Sequence, residues 1–157
     1  MQSFACIRIL PPKYTERPME EEMFVTIQPH VEERLRSDEM VWLTTVRPDG
    51  RPHSIPVWFL WDGATVLIWS KPNTQKIRNL RQHHSVTLAL DDTKKGVVIL
   101  EGTAELLGRG DGSVTLQAYG EKYSEGLRRI IGRTAEEFTT LYSQPIRVTP
   151  VRLITWQ

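Results

Sequence analysis

The 157-residue chain is predicted to fold as a small, mainly β barrel with flanking helices. Three observations point there. Two turn signals, Arg47-Pro48-Asp49-Gly50 and Asp62-Gly63, separate three apolar runs. The middle run, His53 to Trp61, carries bulky side chains at both its odd and its even positions. Further alternating runs continue to the C-terminus, about six in all. A small sheet with both faces covered is most simply closed on itself or curled against a partner.

The length suits one domain with a real core and is too short for two ordinary ones. The chain is 39% hydrophobic and 25% charged, and its 20 Lys+Arg against 19 Asp+Glu leave a net charge of +1. That balance gives no reason to expect nucleic acid or an anionic membrane as partner. The lone Cys6 permits neither an internal disulfide nor a cysteine zinc site, which fits a reducing cytoplasm. No apolar run approaches the roughly 20 residues that span a bilayer. Phe4 to Leu10 is a short apolar patch without the basic flank and small-residue cleavage site of a signal peptide.

Taken in order, residues 1–27 read as a leader arm, broken by Pro11, Pro12 and Pro18 and carrying the acidic run Glu20-Glu21-Glu22. Residues 28–157 read as one domain. Val31 and Leu35, four apart among charges, predict a short surface helix over Gln28 to Arg36. Met40 to Val46 is the first strand. In the second, His53 to Trp61, Ile55, Val57, Phe59 and Trp61 share one face and Ser54, Pro56, Trp58 and Leu60 the other. Ala64 to Ser70 is the third. A short helix follows, with Ile77 and Leu80 turned inward, ending at His83-His84. Ser85 to Leu90 is a fourth strand and Val97 to Leu107 a fifth, interrupted at Glu101-Gly102, where a glycine marks a bulge or a close backbone approach. Residues 113–143 read as helical, with Thr134-Ala135-Glu136-Glu137 as a capping box. Ile146 to Trp156 is the last strand, and Pro150 within it implies an edge or a bulge.

The chemistry-bearing residues gather where the third strand hands over to the helix: Ser70, Lys71, Asn73, Thr74, Gln75 and Lys76. A helix start carries unpartnered N–H groups and a positive dipole end, a ready anion site. The plainer alternative is a capped surface helix with solvated cations. Arg78 and Arg81 fall later on the helix and suit that plainer reading. Ser54, Pro56, Val57 and Trp58 lie on the second strand, where a proline without an N–H argues for a sheet edge or a bulge and a flat ring has room to dock. Trp42, Trp58, Trp61 and Trp69 suit the walls of a planar heterocycle, or plain core. His30, His53, His83 and His84 lack metal-ligand spacing, and the chain has no Gly-x-Gly-x-x-Gly, no phosphate-binding Walker loop and no nucleophile elbow.

Val41-Trp42-Leu43-Thr44-Thr45-Val46, Asp49 through Phe59, Trp69-Ser70 through Arg81, and Glu101-Gly102-Thr103-Ala104 together resemble the pyridoxamine 5′-phosphate oxidase-like family, most of all its deazaflavin-dependent branch. The resemblance implies an FMN-binding split β-barrel and a homodimer with the cofactor in a groove between subunits. It implies that the ring lies along Ser54, Pro56, Val57 and Trp58. Trp69 and Ser70 would lie nearer the ring and side chain, and Thr74, Gln75 and Lys76 would take the phosphate; Lys71, at the strand's end, is placed to contact the same ligand. The family's pyridoxamine oxidases carry an Arg and a Lys on the second strand where this chain has Ser54 and Phe59. They have an Arg beside the phosphate Lys where this chain has Gln75. The expected cofactor is therefore coenzyme F-420, with FMN as the alternative. The expected function is hydride transfer to or from a small organic substrate. The alternatives are an FMN-dependent oxidase or reductase, and a non-catalytic flavin- or haem-binding protein. No catalytic side chain is named, because such a cofactor carries the reactive atom itself.

Overall fold

The computed structural model describes residues 5–8, 24–108, 113–126, 128–129 and 135–156. Nine strands and four α-helices lie within them: β1 (Ala5–Arg8), β2 (Phe24–Ile27), α1 (Pro29–Ser37), β3 (Met40–Val46), β4 (Pro52–Trp58), β5 (Leu60–Trp61), β6 (Val66–Ser70), α2 (Gln75–Leu80), β7 (Ser85–Leu90), β8 (Val97–Leu106), α3 (Ser113–Gly126), α4 (Ala135–Leu141) and β9 (Gln144–Trp156). Among the described residues no helix is long and apolar enough to cross a membrane.

Seven strands form one antiparallel sheet in the order β4-β3-β7-β8-β9-β6-β5. Its two edge strands, β4 and β5, are consecutive in the chain and separated by Phe59 alone. A sheet whose opposite edges are one residue apart has to curl on itself. The expected split barrel is therefore present, with one difference: the second predicted strand is two strands, broken at Phe59. Inside the curl, alternate residues bury Val41 and Leu43, Phe59, Ile68, Leu88, Leu100, Ile146 and Val148. Period-2 alternation on one covered face produces this core.

Local signals hold elsewhere. Gly50 (φ 85°) and Gly63 (φ 99°) adopt the left-handed backbone that their turns require. The β8–β9 register shifts at Glu101/Gly102. A Cβ on Gly102 would sit 2.7 Å from the Thr149 carbonyl oxygen and 2.8 Å from Val148 Cγ1, so the bulge needs a glycine. Pro150 pairs with Gly102 at that bulge, beyond the stretch of β9 that β6 covers, and so gives up no ladder bond to β6.

Of the leader, Ala5–Arg8 pairs with Phe24–Ile27, and Val25 and Ile27 are buried in the barrel core. The Thr134 end of the predicted capping box lies outside the described residues, while α4 starts at Ala135. All five residues of β6 are buried because its inner face meets the barrel core and its outer face meets α3 and α4. Leu67 and Trp69 on that outer face pack with Leu107, Tyr119, Tyr123 and Phe138, a second, aromatic core.

Candidate functional site

The strand-to-helix junction after β6 is held by its own side chains. Ser70 Oγ donates to the Lys71 carbonyl at 3.0 Å and lies 3.1 Å from Thr74 Oγ1. Thr74 occupies the N-cap position of α2, but its hydroxyl turns back to the Lys71 carbonyl (3.3 Å) and caps no helix N–H. Gln75 Nε2 donates to Asn79 Oδ1 at 2.7 Å, and the buried Asn79 donates from Nδ2 to Thr45 Oγ1 on β3 at 2.8 Å. Arg78 braces the same turn, donating to the Asn73 carbonyl and to Gln75 Oε1, both at 2.9 Å. These bonds fix the rotation of α2 on the barrel. They leave Ile77 and Leu80 in the core and bring Lys76 to a cleft.

The cleft, about 220 Å³, runs between β4 and the α3–α4 layer. On the barrel side it is lined by Met40, Ile55, Pro56, Val57 and Trp58, with Trp69 and Lys76 beside them. Tyr119, Phe138 and Tyr142 form the helical wall. Within that wall Phe138 and Tyr142 stack at 4.2 Å between ring centres, and Trp58 stacks on Tyr123 at 4.7 Å. Among the described residues Lys76 is the one charged residue that lines the cleft. It is 8% exposed, and among the described residues it has neither an ion pair nor a hydrogen bond. Burial holds its amine below the ordinary lysine range. Its field is felt nearby: His53 is held below the usual imidazole value by burial first, then by the charges of Arg47 and Lys76. Among the described residues no group of His, Cys, Asp and Glu side chains could hold a metal ion.

Of the ten residues expected to bind cofactor, Pro56, Val57, Trp58, Trp69 and Lys76 line the cleft together. Lys71 reaches its rim, with Nζ 5.5 Å from the centre of the Tyr142 ring. Ser70, Thr74 and Gln75 stand one layer behind, bonded to one another's segment as described. Ser54 is exposed on the outer face of β4 and bonded to Thr44 Oγ1 at 2.9 Å.

A family model for pyridoxamine 5′-phosphate oxidase matches residues 27–153. The chain belongs to the pyridoxamine 5′-phosphate oxidase-like, flavin-binding family. The match contains every residue that lines the cleft, from Met40 to Tyr142. No curated protein sequence matches the chain. Among solved structures, the fold is similar to that of an F420 reductase, 24% identical over 78% of this chain and 94% of that one, with a TM-score of 0.63. It is also similar to HutZ, a haem storage protein from Vibrio cholerae, 16% identical over 81% and 92%, TM-score 0.66. A third is an FAD-binding protein from Mesorhizobium loti, 17% identical over 79% and 89%, TM-score 0.60. One pyridoxamine oxidase-like barrel thus serves proteins named for different ligands, and the distinction must come from the site.

Sequence reasoning missed the helical half of the cleft. Tyr119 and Tyr123, and Phe138 and Tyr142, are each four apart, a spacing that reads as helix core and carries no ligand signal. It also missed Asn79, whose amide ties α2 to β3.

Proposed function

We propose that the cleft holds a deazaflavin, coenzyme F-420, or else FMN, and that the chain is an oxidoreductase. When bound, such a cofactor supplies hydride chemistry with a small organic substrate. The observation that carries this reading is Lys76: a buried cation, facing an aromatic cleft, with no anion beside it among the described residues. Leaving a charge buried and unpaired is costly, and a ligand phosphate removes that cost. The α2 amides beside it, which no side chain caps, favour the same anion.

The residues fit the rest of such a molecule. β4 is an edge strand, paired among the described residues with β3 alone, so alternate main-chain groups on its far edge are free. Flavins and deazaflavins present an alternating row of carbonyl and imide groups, which suits a free strand edge. Trp58, Trp69 and the α3–α4 aromatics supply flat apolar walls and exclude water. No lining residue is a histidine, which favours a flavin-type ring over haem, whose iron needs an axial ligand. The homodimer expected from the family completes this reading.

Titration of the purified protein with F-420, FMN and haem, followed by absorbance and fluorescence, tests it. F-420 or FMN is expected to bind. Lys76→Ala is expected to weaken that binding by about 1.5–3 kcal/mol, the scale of a hydrogen bond to a charged group, with the fold intact. Equal affinity in the variant would mean that Lys76 takes no part in holding the ligand.

A further inference from the structure

Tyr119 sits on the inner side of α3 at 1% exposure. Its ring is accounted for by neighbours: centres 4.8 Å from Trp69, 4.6 Å from Tyr123 and 5.5 Å from Phe138. Its hydroxyl is not. Four residues along, the Tyr123 hydroxyl shows what a buried phenol ordinarily does. It accepts from the Phe59 N–H at 2.9 Å and faces the Phe59 and Glu39 carbonyls at 2.6 and 2.8 Å. Among the described residues the Tyr119 hydroxyl has no hydrogen-bond partner.

Nor is that hydroxyl sealed in. The fully buried side-chain polar atoms lacking a partner, among the described residues, are His53 Nδ1 and Trp61 Nε1. The Tyr119 oxygen is not one of them, and the open space that the residue borders is the cleft. A phenylalanine would make the same ring contacts without burying an unpaired hydroxyl, so packing alone gives no reason for the oxygen. Burial, then the neighbouring Tyr123 and Tyr142, hold the phenol well above its usual value, so it remains a proton-bearing donor across the physiological range.

We infer that the Tyr119 hydroxyl donates a hydrogen bond to a carbonyl oxygen of the planar conjugated ring that enters the cleft. This rests on the cofactor reading above, and it gives α3 a hydrogen-bonding, specificity-determining residue in a wall otherwise described as apolar and aromatic. The carbonyl belongs either to the cofactor ring or to a substrate stacked with it, and the test separates the two.

Tyr119→Phe in the full chain is titrated with F-420 and FMN, then assayed with the reduced cofactor and menadione, a small quinone, as probe acceptor. With the carbonyl on the cofactor, the dissociation constant rises roughly 3- to 15-fold, the scale of one neutral hydrogen bond. The absorption band of the bound cofactor then also moves from its wild-type position. With the carbonyl on the substrate, cofactor affinity and spectrum hold and KM for menadione rises. The melting temperature of the variant is expected to equal or exceed that of wild type, because the hydroxyl has no partner among the described residues to lose. A fall in that temperature overturns the inference, as does a variant matching wild type in affinity, spectrum and KM. Wild-type protein that binds neither cofactor overturns the cofactor reading and this inference with it.

Discussion

Two lysines at the ends of the aromatic layer show how one residue type serves different ends. Lys76 is buried, and among the described residues nothing beside it carries its charge. Lys122 on α3 is also partly buried, but its ammonium donates to the Phe59 carbonyl at 3.1 Å and lies 4.1 Å from the centre of the Phe59 ring. The described residues thus supply both a carbonyl and an aromatic face for Lys122, and neither for Lys76. Burial still lowers the Lys122 pKa to about 8, with Asp38 and Glu39 opposing the shift. That predicts a pH dependence. Between about 8 and the unfolded value of 10.5, the unfolded chain holds the Lys122 proton more often than the folded one does. Stability from this group therefore rises with pH across that window. Urea denaturation at pH 7.5 and 9.5 should show a larger gain for wild type than for Lys122→Met. Equal gains would mean that Lys122 keeps an ordinary pKa in the folded chain. The two measurements stop short of pH 10, above which ionisation of the buried Tyr119 and Tyr123, both held above their usual values, works in the opposite direction.

At the scale of elements, the decisive feature is the break between β4 and β5. The alternation of Ile55, Val57, Phe59 and Trp61 runs through it without a mark, so the sequence alone reads one strand. The break comes from closure: the strand leaves one edge of the sheet and joins the other within a residue, and Phe59 loses its ladder partners. They are replaced from 64 residues away by the Tyr123 hydroxyl, which accepts the Phe59 N–H. Tyr123→Phe keeps the stack on Trp58 and strands that buried N–H. The expected loss of stability is about 1–3 kcal/mol, the cost of a buried polar group left unsatisfied, read as a lower urea midpoint. An unchanged midpoint would show that water reaches Phe59 and that α3 is no part of the closure. The same contrast explains what was legible. Strand runs, turns and the Gly102 bulge are local signals, and they lie where periodicity and turn chemistry put them. The barrel half of the cleft was legible because Pro56, Trp58, Trp69 and Lys76 sit at recognisable junctions. The helical half was not, because Tyr119, Phe138 and Tyr142 are at once aromatic core and cleft wall, and only the placing of α3–α4 over β6 reveals the second role.

At the scale of the molecule, the outer face of the barrel carries a row that a monomer gives no use. Pro56, Trp42, Ala89, Ile99 and Ile154 are cross-strand neighbours running over β4, β3, β7, β8 and β9, and Trp156 pairs with Val97 one step along. Trp42 is 41% exposed and Trp156 56%, a large apolar cost to leave in water. Trp42 meets solvent with its indole N–H bonded to Asp91 Oδ1 at 2.7 Å, so its ring is held in place as part of a formed surface. A contiguous apolar row of this kind marks an interaction surface, and the homodimer expected from the family gives it an occupant, a second copy of the same chain. The row ends at Pro56, on the strand that lines the cleft, so a copy seated there would border the cofactor groove. Association and cofactor binding should then be linked. Light scattering is expected to give wild-type protein a mass of twice the 18.1 kDa of one chain. Ile99→Lys, which sets a charge in the middle of the row, is expected to give the single-chain mass and weaker F-420 or FMN binding while leaving the barrel folded by circular dichroism. Wild-type protein running at the single-chain mass would sink the dimer. A monomeric Ile99→Lys with undiminished cofactor affinity would keep the dimer and place the whole groove within one subunit.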